Sequence, residues 1–185
     1  LAQCADALAG IEFSSVAAVG FAVRAERCPW ATQHQGFGYL IPPSENQDIL
    51  GTLMESLTFP TAQPPDVTRC TVMIQRDHLD KPEEELVAIA QRTLQRHLGL
   101  DLGTGRSAVG IACSPLWSAV AVQRRCIPQY SLGHKKRVHF LTRAVAGALP
   151  QVSLAGHSFF GVGVNDTVRV SREAVQALKQ KWAAA

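Results

Sequence analysis

Apolar residues recur along this chain in two rhythms. Ser14 to Glu26 is dense in Val, Ala and Phe, the make-up of a buried strand, and Cys28-Pro29-Trp30 ends it. After a polar loop to Gln35, the run Gly36 to Pro43 predicts a kinked strand stopped by its double proline. Ile49 to Leu57 fits a strand or a short helix equally. Proline-rich Phe59 to Asp66 predicts a turn, and β-branched Val67 to Gln75 a strand. The period then lengthens. From Lys81 to Leu98, the residues Leu86, Ile89, Ala90, Leu94 and Leu98 form one helical face. Asp80 with Glu83 is a capping-box-like start, Pro82 sits in the first turn and Gly99 ends the helix. Gly103-Thr104-Gly105-Arg106 predicts a turn, and Ala108–Cys113 and Ala119–Arg124 predict short strands. His134 to Leu149 predicts a helix on Val138, Leu141, Val145 and Leu149, closed by Pro150. Leu1, Cys4 and Leu8 are spaced like the end of a helix, an opening expected of a fragment of something longer.

The stretch Leu154 to Asp166 predicts a short apolar strand, a glycine-punctuated turn and a helix from about Thr167 to Ala184. Asn165 or Asp166 is the expected N-cap. Val168, Val175, Leu178 and Trp182 make one apolar stripe. Gly156, Gly161 and Gly163 admit a ligand close to the backbone. The helix start beyond them suits a phosphate or any ligand edge that gathers negative charge. The same order of elements describes an ordinary strand–helix junction that binds nothing. The dinucleotide G-x-G-x-x-G is incomplete, with Asp166 where its last glycine belongs.

Composition narrows this picture. At 185 residues, 46% hydrophobic and 18% charged, the chain supports one domain or one and part of another, and excludes wholesale disorder. A net charge of +3, with its only basic knots at Arg124-Arg125 and Lys135-Lys136-Arg137, gives no stripe for nucleic acid. Five cysteines without a C-x-x-C predict reduced, mostly buried thiols, neither a disulfide frame nor a metal site. No secretory signal pattern and no unbroken run of some 20 apolar residues is present, so no spanning helix is predicted. The order of elements is that of an α+β protein with a mixed or antiparallel sheet.

Three blocks, in order, carry a resemblance. They are Gln35-Gly36-Phe37-Gly38-Tyr39-Leu40-Ile41-Pro42 with Ile49-Leu50-Gly51 and Phe59-Pro60, then Cys126-Ile127-Pro128-Gln129-Tyr130-Ser131-Leu132-Gly133-His134, then Gly161-Val162-Gly163-Val164-Asn165-Asp166. Together they resemble the protoporphyrinogen oxidases of the flavin amine-oxidase superfamily, and the animal-type branch most. The resemblance covers nearly the whole chain. It implies the C-terminal portion of an FAD enzyme that oxidises a porphyrinogen with molecular oxygen and releases hydrogen peroxide. The flavin carries the redox chemistry, so no catalytic side chain and no metal is assigned.

By position, the resemblance implies cofactor contacts at Val162, Gly163, Val164 and Val122, and substrate contacts at Phe37, Gly38, Leu40, Leu53 and Met73. Four of these substrate residues, Phe37, Leu40, Leu53 and Met73, serve equally as core packing in a sheet. Residues 1–125 are expected to form the substrate-binding α+β portion. Residues 126–185 are expected to be the C-terminal strand and helix of a Rossmann-like FAD domain whose N-terminal half lies outside this sequence. That half carries the G-x-G-x-x-G turn, an arginine for a propionate and the membrane-docking helices, so peripheral attachment to the mitochondrial inner membrane and homodimerisation are family expectations. His134 and His157 flank the late blocks. A histidine near a flavin can move a proton, and a packed or surface role is the competing reading for His157. His34, His78, His97 and His139 are expected on polar faces, and Arg124-Arg125 either meets an anionic group or lies solvated. Residues 103–118 form a longer connection than the family has. The alternative to an oxidase fragment is a truncated relative that binds tetrapyrrole or a partner without turnover.

Overall fold

The computed structural model describes residues 2–28, 36–45, 48–102, 111–112 and 114–183. The expected turn at 103–106, His34 and Cys113 lie outside the described residues, as does most of the strand expected at 108–113, of which β6 (Ile111–Ala112) is described. The described chain forms two compact units, residues 15–124 and residues 1–14 with 125–185.

The sheet unit is built on β1 (Glu12–Arg24), β2 (Gly38–Leu40), β3 (Ile49–Leu53), β4 (Val67–Ile74) and β7 (Trp117–Gln129), in the order β2-β3-β4-β1-β7. The pairs β2/β3, β3/β4 and β1/β4 are antiparallel, as an α+β fold requires. Both β1 and β7 continue past the unit boundary. A second, two-stranded parallel sheet joins β5 (Leu100–Asp101) to β6. The open alternative over 49–57 resolves into both elements: β3, then the one-turn helix α2 (Glu55–Thr58).

Strand β4 shows why one face of this sheet is sealed. Its burial alternates strictly, with Thr68, Cys70, Val72 and Ile74 buried and Val67, Arg69, Thr71 and Met73 half-buried. Cross-strand partners share a face, so Phe21 opposite Cys70, Val19 opposite Val72 and Ala17 opposite Ile74 complete the buried side. Helix α3 (Glu83–Leu98) adds Leu86, Ile89, Ala90 and Leu94 to the same core cluster, and Leu100 and Leu102 extend it. Each fully buried side chain of this size contributes roughly 1.5–3 kcal/mol.

Local details depart from expectation in instructive ways. Helix α3 starts at Glu83, with Pro82 as its cap residue and no side-chain cap. Asp80 is instead drawn to Arg124, whose guanidinium also donates to the Leu79 carbonyl. Three glutamates in the first turn take over the favourable interaction with the helix dipole, and Gly99 closes the other end, its N–H donating to Gln95. His97, expected on a polar face, is half-buried. Its Nδ1 lies 3.0 Å from the Tyr39 hydroxyl, which accepts a hydrogen bond from Thr52. His78 pairs with Asp48. Leu50 is the extra residue of a β-bulge, the register jumping from Ile49 to Gly51.

In the other unit, α1 (Ala2–Ala9) confirms the opening helix and packs with α4 (His134–Ala148), which buries His134, Val138 and Leu141. The stretch from Leu154, where a short apolar strand was expected, joins no sheet. It leads into a short helix, α5 (His157–Phe160), and then α6 (Val164–Ala183). The stripe expected to face a core is exposed at Val168, Val175 and Trp182, and α6 buries only Val170. No helix among the described residues is long and apolar enough to cross a membrane.

Two outcomes follow from the sealed face. Burial raises the Tyr39 hydroxyl above its ordinary pKa. Burial, with Glu55 and Cys28 nearby, raises the Cys70 thiol well above its own. Both groups release their protons more readily in the unfolded chain. Their contribution to stability is therefore full below the free-thiol pKa of about 8.5 and declines as pH rises beyond it. His97 is lowered, by burial and by Arg96. Its contribution is full above the free-histidine pKa of about 6.5 and is lost as pH falls. Urea midpoints across pH should thus plateau between these limits. Gly51→Ala should lower stability by about 2–4 kcal/mol in the same assay, because its Cβ would lie 2.3 Å from the Tyr39 carbonyl oxygen.

Candidate functional site

The opposite face of the sheet has a different character. Met73 pairs with Gly51 and Ala18, Thr71 with Leu53 and Gly20, Leu53 also with Gly38, and Gly51 with Leu40. By the two-residue period, Gly38, Leu40, Leu53 and Met73 therefore share the face turned away from α3. Four of the five expected substrate residues meet there. Leu40 is 77% exposed and Met73 half-buried, so the part of this face around β2 and β3 is apolar and open, while Thr71 and Arg69 of β4 make it polar farther along. Phe37 precedes β2, accepts the Met54 amide on its carbonyl and is 63% exposed. Their assignment to core packing does not describe Leu40 or Phe37.

Small residues also interrupt this face. A Cβ on Gly38 would meet the Thr52 carbonyl oxygen at 2.2 Å, so Gly38 and Gly51 let β2 and β3 approach without side chains between them. Ala18 and Gly20 continue the small-residue floor on β1. Two further residues were not legible from sequence as part of it. The Trp117 indole lies against Gly20, where a Cβ would be 3.3 Å from the ring, and the Glu55 carboxylate accepts from the Thr71 hydroxyl. Only strand register brings these groups onto the face, so local pattern gave no signal for them. Val122, the fourth expected cofactor contact, lies on β7 in this unit and is partly exposed. Arg124 is committed to Asp80 and Leu79, and Arg125 lies over the Phe13 ring at 5.5 Å.

The glycine corner belongs to the other unit. Helix α6 begins at Val164, so Asn165 and Asp166 lie inside its first turn and neither is the N-cap. Gly163 precedes the helix, and its carbonyl accepts both the amide and the hydroxyl of Thr167. The amides of Val164, Asn165 and Asp166 have no carbonyl four residues back within the helix. Asp166 folds back over Gly161 instead of capping, since a Cβ on Gly161 would lie 2.4 Å from that of Asp166. Gly161 also has φ +142°, a conformation that suits glycine. Gly163 has neither restraint: its nearest neighbour would be Asp166 Oδ2 at 3.6 Å. A cleft of about 340 Å³ adjoins the corner, lined by Cys126, Ile127, Pro128, His157, Val162, Val164, Thr167 and Val168. Val164 is 79% exposed. Apolar walls with unpaired amides fit the edge of a flat, electron-accepting ring. A larger cleft of about 670 Å³ lies between α4 and α6 and includes Tyr130, His134, Phe160 and Arg169. His157 is a surface residue, and His134 is buried.

No protein-family model matches the sequence. Curated relatives do. The chain is 32% identical over 175 residues to protoporphyrinogen oxidase of Macaca fascicularis and of Homo sapiens, and 34% identical over 172 residues to that of Bos taurus. The chain is a relative of the protoporphyrinogen oxidases. The match takes in 92–94% of this chain and 34–35% of those proteins, so the chain spans about a third of their length, consistent with their C-terminal portion. Coproporphyrinogen III oxidase of Bacillus subtilis is 28% identical over 77% of the chain. Among solved structures, a putative protoporphyrinogen oxidase from Exiguobacterium superposes with a TM-score of 0.75 at 17% identity, covering 94% of this chain and 36% of that one. Reduced UDP-galactopyranose mutase gives 0.67 at 10% identity, covering 99% and 36%. These likenesses support the α+β fold with its antiparallel sheet as part of a larger architecture.

The corner makes one test available without any ligand. Gly161→Ala should lower the stability of the C-terminal helices by about 1–3 kcal/mol. The change would read as faster amide exchange across 157–170 with the sheet unit unaffected.

Proposed function

We propose that this chain is the C-terminal portion of an FAD-dependent protoporphyrinogen oxidase, supplying the substrate sheet and the last flavin contacts. The observation that carries the reading is that Gly38, Leu40, Leu53 and Met73 share one open, largely apolar part of a sheet face. Such a floor suits a broad tetrapyrrole, whose faces are greasy and whose charges sit at its rim. Phe37 stands beside it. These side chains bind the porphyrinogen and exclude water from it. At the glycine corner, Val162 and Val164 give apolar contact, and Gly163 leaves the helix start bare. The first-turn amides of α6 favour an edge that turns negative on reduction, by about 0.3–1 kcal/mol. The FAD, when bound, supplies the two-electron acceptor, with molecular oxygen as the final oxidant and hydrogen peroxide as its product. Val122 is a further flavin contact in this reading. The remaining cofactor contacts, peripheral attachment to the mitochondrial inner membrane and dimerisation belong to the full-length enzyme. This portion is not expected to turn over alone.

A second reading is favoured by the exposed apolar face, which can take a greasy ring without any flavin: a tetrapyrrole-binding module without redox turnover. Two titrations separate the readings. In the full-length protein, which also carries the N-terminal half of the FAD domain, Gly163→Leu should weaken FAD binding at least tenfold, read from the flavin absorbance bands, while stability changes by no more than about 0.5 kcal/mol. Undiminished FAD binding in that variant removes the corner from the flavin site. Protoporphyrin should quench tryptophan fluorescence, and Leu40→Asp should weaken this about tenfold by placing a charge on the apolar floor. Porphyrin quenching in a full-length protein that takes up no FAD favours the second reading.

A further inference from the structure

Tyr130 occupies an unusual place. Its hydroxyl donates to the His157 carbonyl at 2.5 Å and accepts the Gly161 amide at 2.8 Å. His157 and Gly161 are four residues apart, the separation at which a helix bonds its own carbonyl to its own amide. The tyrosine oxygen therefore stands inserted in the last hydrogen bond of α5. A group inserted into this ladder bends the chain away from the helix, and at Gly161 the backbone departs to φ +142°. The N-cap residue Gly156 makes no side-chain cap, and four residues cannot hold a helix unaided.

The tyrosine is itself held. Its ring stacks on the imidazole of His134, centroids 3.9 Å apart and planes within 10°. His134 is 4% exposed, and neither ring nitrogen has a hydrogen-bond partner. It serves as a flat surface, set at the first turn of α4 by its amide bonding to the Ser131 carbonyl.

We propose that Tyr130 is a positioning residue for the Gly161–Val164 corner, with His134 as the platform that aims it. The identity of the ligand placed there rests on the flavin reading above; the positioning of the backbone does not. Tyr130→Phe keeps the stacked ring and removes only the inserted oxygen. The Gly161 amide should then shift its resonance and change its exchange rate by about fivefold, the effect of one lost hydrogen bond. Amides of β1 and β4 should be unchanged. In the full-length protein FAD affinity should fall by a similar factor, without change in the unfolding midpoint of the sheet unit. His134→Phe, which retains a flat ring, should keep the Gly161 signature and FAD affinity near wild type, whereas His134→Ala should lose both. An unaltered Gly161 amide in Tyr130→Phe overturns the proposal. So does an altered amide with undiminished FAD affinity. If the full-length wild-type protein ignores FAD, the flavin reading fails, and the Gly161 amide in the two ring variants still decides whether Tyr130 positions the corner.

Discussion

The seal between helix α3 and one face of the sheet governs the sheet unit. Leu86, Ile89, Ala90 and Leu94 share one core with Phe21, Val72 and Ile74. Once that face is closed, the strand period leaves no freedom about the other. A one-residue slip of β4 would exchange Val72 and Ile74 for Thr71 and Met73, and the core would lose its apolar wall. The open face is therefore a product of core packing, and the small residues that interrupt it are Ala18, Gly20, Gly38 and Gly51.

The C-terminal unit works by a different economy of contacts. Its helices bury few residues: Cys4 on α1, His134, Val138 and Leu141 on α4, and Val170 on α6. Directional contacts take a larger share of the work. Tyr130 bridges the ends of α5, Asp166 folds over Gly161, and Thr167 bonds back to Gly163. The corner is thus shaped by hydrogen bonds and one tight contact. The apolar stripe Val168, Val175 and Trp182 remains exposed in this chain.

Legibility in the sequence tracked the range of the interactions involved. Strands β1 and β4 and helices α3 and α4 were readable, because their burial follows a period that their own residues display. The ends were not. The capping-box reading of Asp80 failed because Arg124, 44 residues away, offered a charged partner. Asn165 and Asp166 look like caps, yet α6 begins ahead of them, where the Gly163 carbonyl finds Thr167. The apolar run from Leu154 reads as a strand, but a strand needs a neighbour to pair with; residues 154–155 have none among the described residues, and His157–Phe160 coil into α5.

The sequence by itself determined the α+β character, the apolar face of the long helix and, through three ordered blocks, the family whose C-terminal portion the chain matches. Hydrophobic period and motif are written in neighbouring residues, so both survive without coordinates. Only the tertiary structure decided that Gly38, Leu40, Leu53 and Met73 meet on a single face, that Trp117 and Glu55 border it, and that a tyrosine hydroxyl stands inside the helical bond ahead of the corner. Each of these depends on register or on contacts across tens of residues, which no local pattern encodes.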